Sequence, residues 1–208
     1  MKRTIAVCTI LAGAFLAAAG FAQELKPITL PKPQMDGGKT LMQALAERKT
    51  IREFSGQTLS PQMLSNLLWA AFGMNREKAE RPGIGRTAPS GMNRQSVQLY
   101  VLLPEGAYLY EAQPHVLKPV VEGDLRAKAG PPWSAKAAVT IAYITDAAAG
   151  SGPVETGFIG QNVYLFAAAF DLGACFRASG VAELAGLLKL SPNQRVLYAQ
   201  TVGYPVKN

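Results

Sequence analysis

The sequence contains a single histidine, His115, in 208 residues. A Ser–His–Asp or Cys–His mechanism depends on histidine, and a zinc site depends on several nitrogen or sulfur ligands close together. No second type of ligand clusters with His115, which stands between Pro114 and Val116 in a segment typical of a turn before a strand. The sequence therefore argues against a metal site and against a nucleophile activated by histidine.

Cysteine is almost as scarce, with Cys8 near the start of the chain and Cys175 near its end. Once the first twenty-two residues are removed, as argued next, Cys175 has no partner and an intramolecular disulfide is excluded. Ala174 and Phe176 flank it and indicate a buried thiol. A catalytic cysteine is the less favoured alternative.

Long hydrophobic runs are also missing, apart from one at the N-terminus. Lys2 and Arg3 precede an apolar run at 5–19, and small residues follow at 20–22. This pattern predicts a secretory signal peptide over residues 1–22, cleaved after Ala22. The alternative is an uncleaved anchor, although the run is short for a span of about 20 residues. We expect a secreted or periplasmic protein that is not attached to a membrane after cleavage.

Acidic residues are outnumbered, and the formal net charge is +7. Removal of Lys2 and Arg3 leaves 19 basic and 14 acidic residues, a net charge of +5. Nucleic-acid-binding proteins concentrate such charge in a stripe, often with interleaved aromatic residues. Here the basic residues are scattered, which favours a local anion site and argues against a nucleic-acid partner.

The remaining chain alternates helical and extended patterns, which predicts an α+β or α/β domain over residues 40–208. Residues 23–39 are rich in proline and glycine and predict an extended leader. Ser60 followed by Pro61 is the strongest helix start in the chain, and Gly173 is predicted to end the longest helix. Helices are predicted at 40–49, 61–72, 155–172 and 181–190, an ordered loop at 74–92, and strands at 97–103, 106–110, 116–121, 136–145, 174–178 and 194–204.

The first candidate binding segment follows the helix predicted at 40–49. Arg48, Lys49, Thr50 and Arg52 place two guanidiniums, an ammonium and a hydroxyl within five residues. Arginine donates parallel charge-assisted hydrogen bonds to phosphate, and threonine can donate to a polyol or phosphate oxygen. A helical end would put Arg48 and Arg52 on one side, whereas an extended tail would splay them. The alternative is a solvated helix end with two surface arginines.

The second candidate segment is a polar turn that leads into a strand, and it contains Pro89, Ser90, Asn93 and Gln95. Its two amides can each donate and accept hydrogen bonds. On one side of an extended segment, they would match alternating acceptors and donors along the edge of a heterocyclic ring. The alternative is a polar loop built on an Asx-turn.

The third candidate segment, 155–162, is predicted to open the long helix. A helix N-terminus presents free backbone N–H groups and a partial positive charge. Thr156 and Gly157 could direct such groups at an anionic ligand, and the glycine would permit a close approach. The alternative is an ordinary capped helix.

These three segments, in this order and followed by Val202-Gly203-Tyr204-Pro205, resemble the nitroreductase family over roughly residues 40–206. Ser60–Gly73 and the run from Gly85 to Ser90 are most similar to the branch that includes the thiazoline-forming dehydrogenases. The resemblance implies an α+β fold with a central, mainly antiparallel sheet flanked by helices. It also implies a homodimer that binds FMN.

The resemblance further implies roles for the candidate residues. The positions of Arg48, Lys49, Thr50 and Arg52 would hold the FMN phosphate and ribityl groups. In the second segment the position of Asn93 would contact the ring, with Pro89, Ser90 and Gln95 beside it, and the backbone at Thr156–Gly157 would approach N5. Family members commonly carry a basic residue after the last strand, where this chain offers only Lys207.

The function implied is an FMN-dependent oxidoreductase with two-step, ping-pong chemistry. A small-molecule reductant such as NAD(P)H would deliver electrons, and a nitroaromatic, a quinone or a similar acceptor would take them up. No catalytic side chain is required, because the cofactor carries the chemistry. The alternative is a non-catalytic flavin- or ligand-binding envelope protein on the same fold.

Overall fold

A central β-sheet with helices on its faces organises the protein in this computed structural model, which describes residues 24–81 and 83–207. The predicted signal peptide at 1–22 lies outside the described residues. The helices are α1 (Leu41–Glu47), α2 (Pro61–Phe72), α3 (Gly152–Ala169) and α4 (Leu184–Leu187). The strands are β1 (Ile28–Thr29), β2 (Met74–Arg76), β3 (Gly85–Arg86), β4 (Val97–Leu102), β5 (Gly106–Glu111), β6 (Val116–Glu122), β7 (Val139–Asp146), β8 (Gly173–Arg177) and β9 (Gln194–Gly203).

The sheet has the strand order β1-β6-β5-β4-β7-β9-β8, and each neighbouring pair is antiparallel. This confirms the predicted α+β fold with a mainly antiparallel sheet. β7 is buried along its first seven residues, as expected of a strand covered on both faces. Its N-terminal end differs from the prediction, because Pro132–Lys136 forms a 3₁₀ helix before the strand starts at Val139. No helix in the described part of the chain is long and apolar enough to span a bilayer.

The starts of α1 and α2 follow from local capping chemistry. The Ser60 hydroxyl accepts from Met63 N at 3.1 Å, ahead of Pro61 in the first turn. Thr40 and Gln43 form a reciprocal capping box at the start of α1. α1 ends at Glu47, two residues before the predicted end, so the first candidate segment is an extended tail.

α3 differs from the prediction at both ends. It begins at Gly152 instead of Glu155 and ends at Ala169. Asp171, just after the helix, takes the left-handed conformation that ends it, with φ 56°. The prediction that Gly173 ends this helix is therefore wrong. Gly173 begins β8, where a Cβ would lie 2.6 Å from Ile51 Cγ2. The glycine therefore allows the tail after α1 to lie against the sheet. α4 is also shorter than the predicted 181–190.

The leader packs against the same domain. β1 pairs with β6 at one edge of the sheet, and Leu30 is buried. The Ser65 hydroxyl donates to Pro31 O at 2.5 Å and lies 2.7 Å from His115 Nε2. The Tyr110 hydroxyl lies 3.0 Å from the other ring nitrogen, Nδ1. Because Ser65 uses its proton on Pro31, His115 donates from Nε2 and accepts from Tyr110, as a neutral imidazole.

Candidate functional site

A cavity with a volume of about 1340 Å³ is bordered by the tail after α1, the second half of α3 and the C-terminal residues. We call it the basic cavity. Its wall includes Lys49, Phe54, Lys136, Tyr164, Tyr204 and Lys207. The structure thus brings two of the predicted phosphate-binding residues, Lys49 and Lys207, to one cavity from opposite ends of the domain.

Two carboxylates also line the basic cavity, but both are paired with one lysine. Lys39 Nζ lies 2.6 Å from Glu47 and 2.5 Å from Asp171. Hydrogen bonds to Asp171 and Glu47 raise the pKa of Lys39 above its ordinary value. These three residues form a closed group that clamps α1 to the end of α3.

The other three lysines of this cavity are not neutralised. Within residues 24–81 and 83–207, no carboxylate forms an ion pair with Lys49, Lys136 or Lys207. An excess of ammonium groups around an open cavity attracts anions and suits a phosphate. The donor set therefore fits the phosphate end of the cofactor that the sequence implies.

Tyr164 on α3 gathers two further predicted residues. Its hydroxyl accepts from Phe176 N at 2.8 Å and shares a hydrogen bond of 3.1 Å with Thr50 Oγ1. The guanidinium carbon of Arg48 lies 5.2 Å from the centre of the Tyr164 ring. Tyr164 was not among the residues predicted from the sequence. The signal it offered was a tyrosine in a mostly apolar helix, because a buried hydroxyl needs a partner.

Arg52 and Arg48 act on different neighbours. The charge of Arg52 acts on the thiol of Cys175 on β8, whereas the guanidinium of Arg48 lies over the ring of Tyr164. Burial raises the pKa of the Cys175 thiol, and the charges of Arg52 and Arg177 partly oppose that shift. Cys175 is 2% exposed, which confirms the predicted buried thiol. The extended tail therefore separates the two arginines.

The turn at 89–95 is fastened to the first turns of α3 by a buried carboxylate. Glu155 is 1% exposed. It accepts from the Ser90 hydroxyl at 3.0 Å and from Ser96 N at 2.9 Å. The Ser90 oxygen also accepts from Gln95 N at 2.7 Å. The side chain of Ser90 thus has a structural role within this chain.

The amides of this turn face inward toward the β2–β3 hairpin. Gln95 Nε2 donates to Ile84 O at 2.6 Å and to Asn93 Oδ1 at 2.9 Å, and its oxygen accepts from Arg86 Nε at 2.8 Å. Asn93 Nδ2 donates to Ile84 O at 3.3 Å. The prediction of an extended segment is wrong, because Met92, Asn93 and Gln95 all have φ near 50°, but the two amides do lie side by side. Each such residue stores about 1–3 kcal/mol of strain.

Thr156 and Gly157 lie inside α3, because the helix starts earlier than predicted. Glu155 N already bonds to Ser151 O, so the N–H groups that follow belong to intrahelical hydrogen bonds. The role predicted for them therefore lacks the free amides on which it depended. Thr156 is buried, and Gly157 is exposed with nothing within 4 Å of where a Cβ would be.

The candidate residues therefore form two groups that contact different parts of α3. Ser90 contacts Glu155, and Thr50 contacts Tyr164, nine residues further along the helix. At 1.5 Å per residue, this spacing is about 14 Å along the axis. Of the first candidate segment only Lys49 borders the basic cavity, whereas Ser90 and Asn93 border a smaller cavity. Among the described residues, no cluster of three or more histidine, cysteine, aspartate or glutamate side chains could hold a metal ion.

Comparison with known proteins connects this architecture to a family. The model of the Nitroreductase family matches residues 45–204. A protein from Ralstonia eutropha, assigned as a nitroreductase, is 32% identical in sequence, with a TM-score of 0.79. The match covers 88% of this chain and 90% of that one. No match to the chain is found among the curated proteins.

More distant solved structures share the fold. An FMN-dependent nitroreductase from Clostridium difficile is 16% identical, with a TM-score of 0.55, and the match covers 80% of this chain and 88% of that one. The NADPH:FMN oxidoreductase from Vibrio harveyi is 18% identical, with a TM-score of 0.57 and coverage of 81% and 70%. At these identities the similarity concerns the fold alone.

Proposed function

This chain belongs to the nitroreductase family, and on that premise we propose that it is an FMN-dependent oxidoreductase. Electrons would pass from a small-molecule reductant such as NAD(P)H to a nitroaromatic, a quinone or a similar acceptor. The observation that carries the proposal is the basic cavity, in which Lys49 and Lys207 meet beside Tyr164. FMN is named for relatives on the same fold, and its phosphate needs such a cavity.

Each part of the cofactor has candidate partners here. Lys49, Lys136 and Lys207 would attract the phosphate by charge. Thr50, oriented by the Tyr164 hydroxyl, would face the ribityl chain, and Arg48 stacked on that ring adds a further donor. Bound FMN would supply two-electron transfer, and the protein would position it and exclude water. We assign no side chain as a catalytic acid or base.

We also propose a homodimer, because the surface of α3 is incompletely covered. Most residues of this helix are apolar or small, and a helix of that composition is normally well buried. Yet Val154 and Phe158 are 60% and 44% exposed, and Leu41 and Met42 of the neighbouring α1 are 62% and 74% exposed. A second copy could cover this surface. It could also bring its own turn at 89–95 close to the phosphate-binding residues of the first copy. Within one chain, these two groups contact α3 at points about 14 Å apart along the helix axis.

Two finer predictions complete the proposal. Export by the signal peptide would place the protein outside the cytoplasm, where nicotinamide cofactors are scarce, so another donor could replace NAD(P)H. Assignment to the branch with the thiazoline-forming dehydrogenases would favour the oxidation of a substrate, with a quinone or oxygen as the final acceptor. Both statements rest on the sequence patterns described above.

The test is flavin retention by the mature protein. After incubation with FMN and gel filtration, we expect absorption bands at about 370 and 450 nm, the usual flavin positions. Lys49→Ala and Lys207→Ala should each weaken retention. Lys128→Ala, an exposed lysine outside every cavity described, should not. A colourless wild-type protein would refute the proposal. Retained FMN that dithionite reduces, but that neither NAD(P)H nor another biological donor reduces, would favour the non-catalytic alternative.

A further inference from the structure

We propose that a second cavity, beside the turn at 89–95, binds the anionic group of the small molecule that exchanges electrons with the flavin. This inference rests on the proposed function and adds a substrate class to it: a carboxylate- or phosphate-bearing acceptor or donor. The cavity has a volume of about 360 Å³ and lies between the β2–β3 hairpin and that turn. Its wall includes Arg76, Arg81, Arg86, Ser90, Met92 and Asn93, and we call it the arginine pocket.

The charge of the arginine pocket is not balanced within the described part of the chain. Three arginines line it, and none forms an ion pair with a carboxylate there. Glu80 is the one acidic residue of the wall among the described residues, which leaves a formal charge of +2. The positive charges around a cavity with this excess repel one another, and an anion bound among them would relieve that repulsion. An anion is therefore the ligand that this charge favours.

One of the three arginines is held in a fixed orientation. Arg86 Nε donates to Gln95 Oε1 at 2.8 Å, and Nη1 donates to Phe72 O at 3.1 Å. Its guanidinium carbon lies 4.7 Å from the centre of the Phe72 ring. These contacts leave Nη2 without an acceptor among the described residues. A guanidinium oriented in this way can donate to a carboxylate or phosphate oxygen with little loss of side-chain freedom.

The remainder of the pocket suits the uncharged part of such a ligand. Met92, 55% exposed, and Asn93 stand on the strained turn that the sequence resemblance relates to the flavin ring. A strained turn at the border of a cavity is a common feature of binding sites. The pocket thus combines an anion-binding end with a mixed apolar and amide end. A planar acceptor with one anionic substituent fits both.

The inference is tested with two acceptors that differ mainly in charge, 4-nitrobenzoate and 4-nitrobenzamide. Each nitro group takes up two electrons and two protons and releases water to become a nitroso group. The FMN-loaded protein is reduced with one equivalent of dithionite without oxygen, and its reoxidation by each acceptor is followed near 450 nm. No physiological donor is needed. The variants are Arg76→Gln and Arg81→Gln, with Lys78→Gln, an exposed cation of the same hairpin outside the pocket, as the matched control.

We expect each arginine variant to slow reoxidation by 4-nitrobenzoate about tenfold at subsaturating concentration, which is ~1.4 kcal/mol. Reoxidation by 4-nitrobenzamide should change less than twofold, and Lys78→Gln should change neither. Equal effects on both acceptors, or none on either, would overturn the inference while leaving the proposed function intact. Loss of FMN from the arginine variants would also overturn it, because the pocket would then hold the cofactor.

A wild-type protein that retains no FMN would refute the proposed function by a separate readout. The anion site is then decided by equilibrium dialysis of 4-nitrobenzoate against the protein without flavin. Binding that is weakened by Arg76→Gln and Arg81→Gln, but not by Lys78→Gln, would support the arginine pocket. Equal binding by all four proteins would overturn it.

Discussion

Glu155 offers the sharpest test of how the turn at 89–95 is held. Replacing it with leucine removes both acceptor oxygens and leaves Ser96 N–H and the Ser90 hydroxyl without their partner. An unsatisfied donor in the interior costs about 1–3 kcal/mol. Ser96 and Ser90 are only half-buried and the hydroxyl can rotate, so we expect a total loss of about 2–4 kcal/mol in the free energy of unfolding.

The matched substitution is Glu155→Gln, which keeps the shape of the side chain. Its oxygen can accept from Ser96 N, and its NH₂ can donate to the Ser90 oxygen once that hydroxyl turns away. We therefore expect a loss below about 1 kcal/mol.

Urea denaturation of both variants measures the difference, provided that the dependence on denaturant is unchanged. A Glu155→Leu protein as stable as the wild type would refute this reasoning. Equal destabilisation by both substitutions would mean that the negative charge, and not the two hydrogen bonds, is what the fold requires. Flavin retention measured in parallel shows whether the turn contributes to cofactor binding.

Three further predictions concern single residues. Burial lowers the pKa of His115, so the folded state favours the neutral ring and the unfolded state binds more protons. We expect stability to decline as the pH falls below about 6.5, and His115→Gln to reduce that dependence in denaturation midpoints measured between pH 5 and 8. Gly157→Ala should stabilise the isolated chain by about 0.5–1 kcal/mol, because the position is helical and a Cβ meets nothing within 4 Å. If sedimentation shows that it also weakens a dimer, a second copy approaches this surface. Gly173→Ala should lower the melting temperature, because its Cβ would collide with Ile51. An unchanged melting temperature would mean that the tail after α1 can shift freely.

Elements with a strong local signal could be predicted from the sequence. α2 starts at Pro61 because the Ser60 cap and the proline are adjacent in the chain, and β7 was visible as an apolar run. The start of α3 was not, because the Ser151 side chain makes no capping bond. Pro153 in the first turn was the remaining signal. Pro153 is compatible with the first turn of a helix, but it does not show which residue is the first.

The candidate site was harder to predict because it depends on contacts distant in sequence. That Lys49 and Lys207 share a cavity follows from the packing of the tail and the C-terminus on α3. The Gln95 side chain bonds to Ile84 and Arg86, which lie on the β2–β3 hairpin. The sequence predicted only an ordered loop in that region. An amide can bind a ligand or its own chain, and composition does not distinguish the two.

The leader protects one edge of the sheet from pairing with another chain. It adds β1, only two residues long, to the open edge of β6, and prolines stand at 27, 31 and 33 around it. Proline lacks the N–H that another strand would need, so the sheet cannot readily be extended at this side. A chain that lost residues 24–39 would expose β6 as a template for edge-to-edge polymerisation. The leader thus prevents the sheets of two molecules from pairing at this edge.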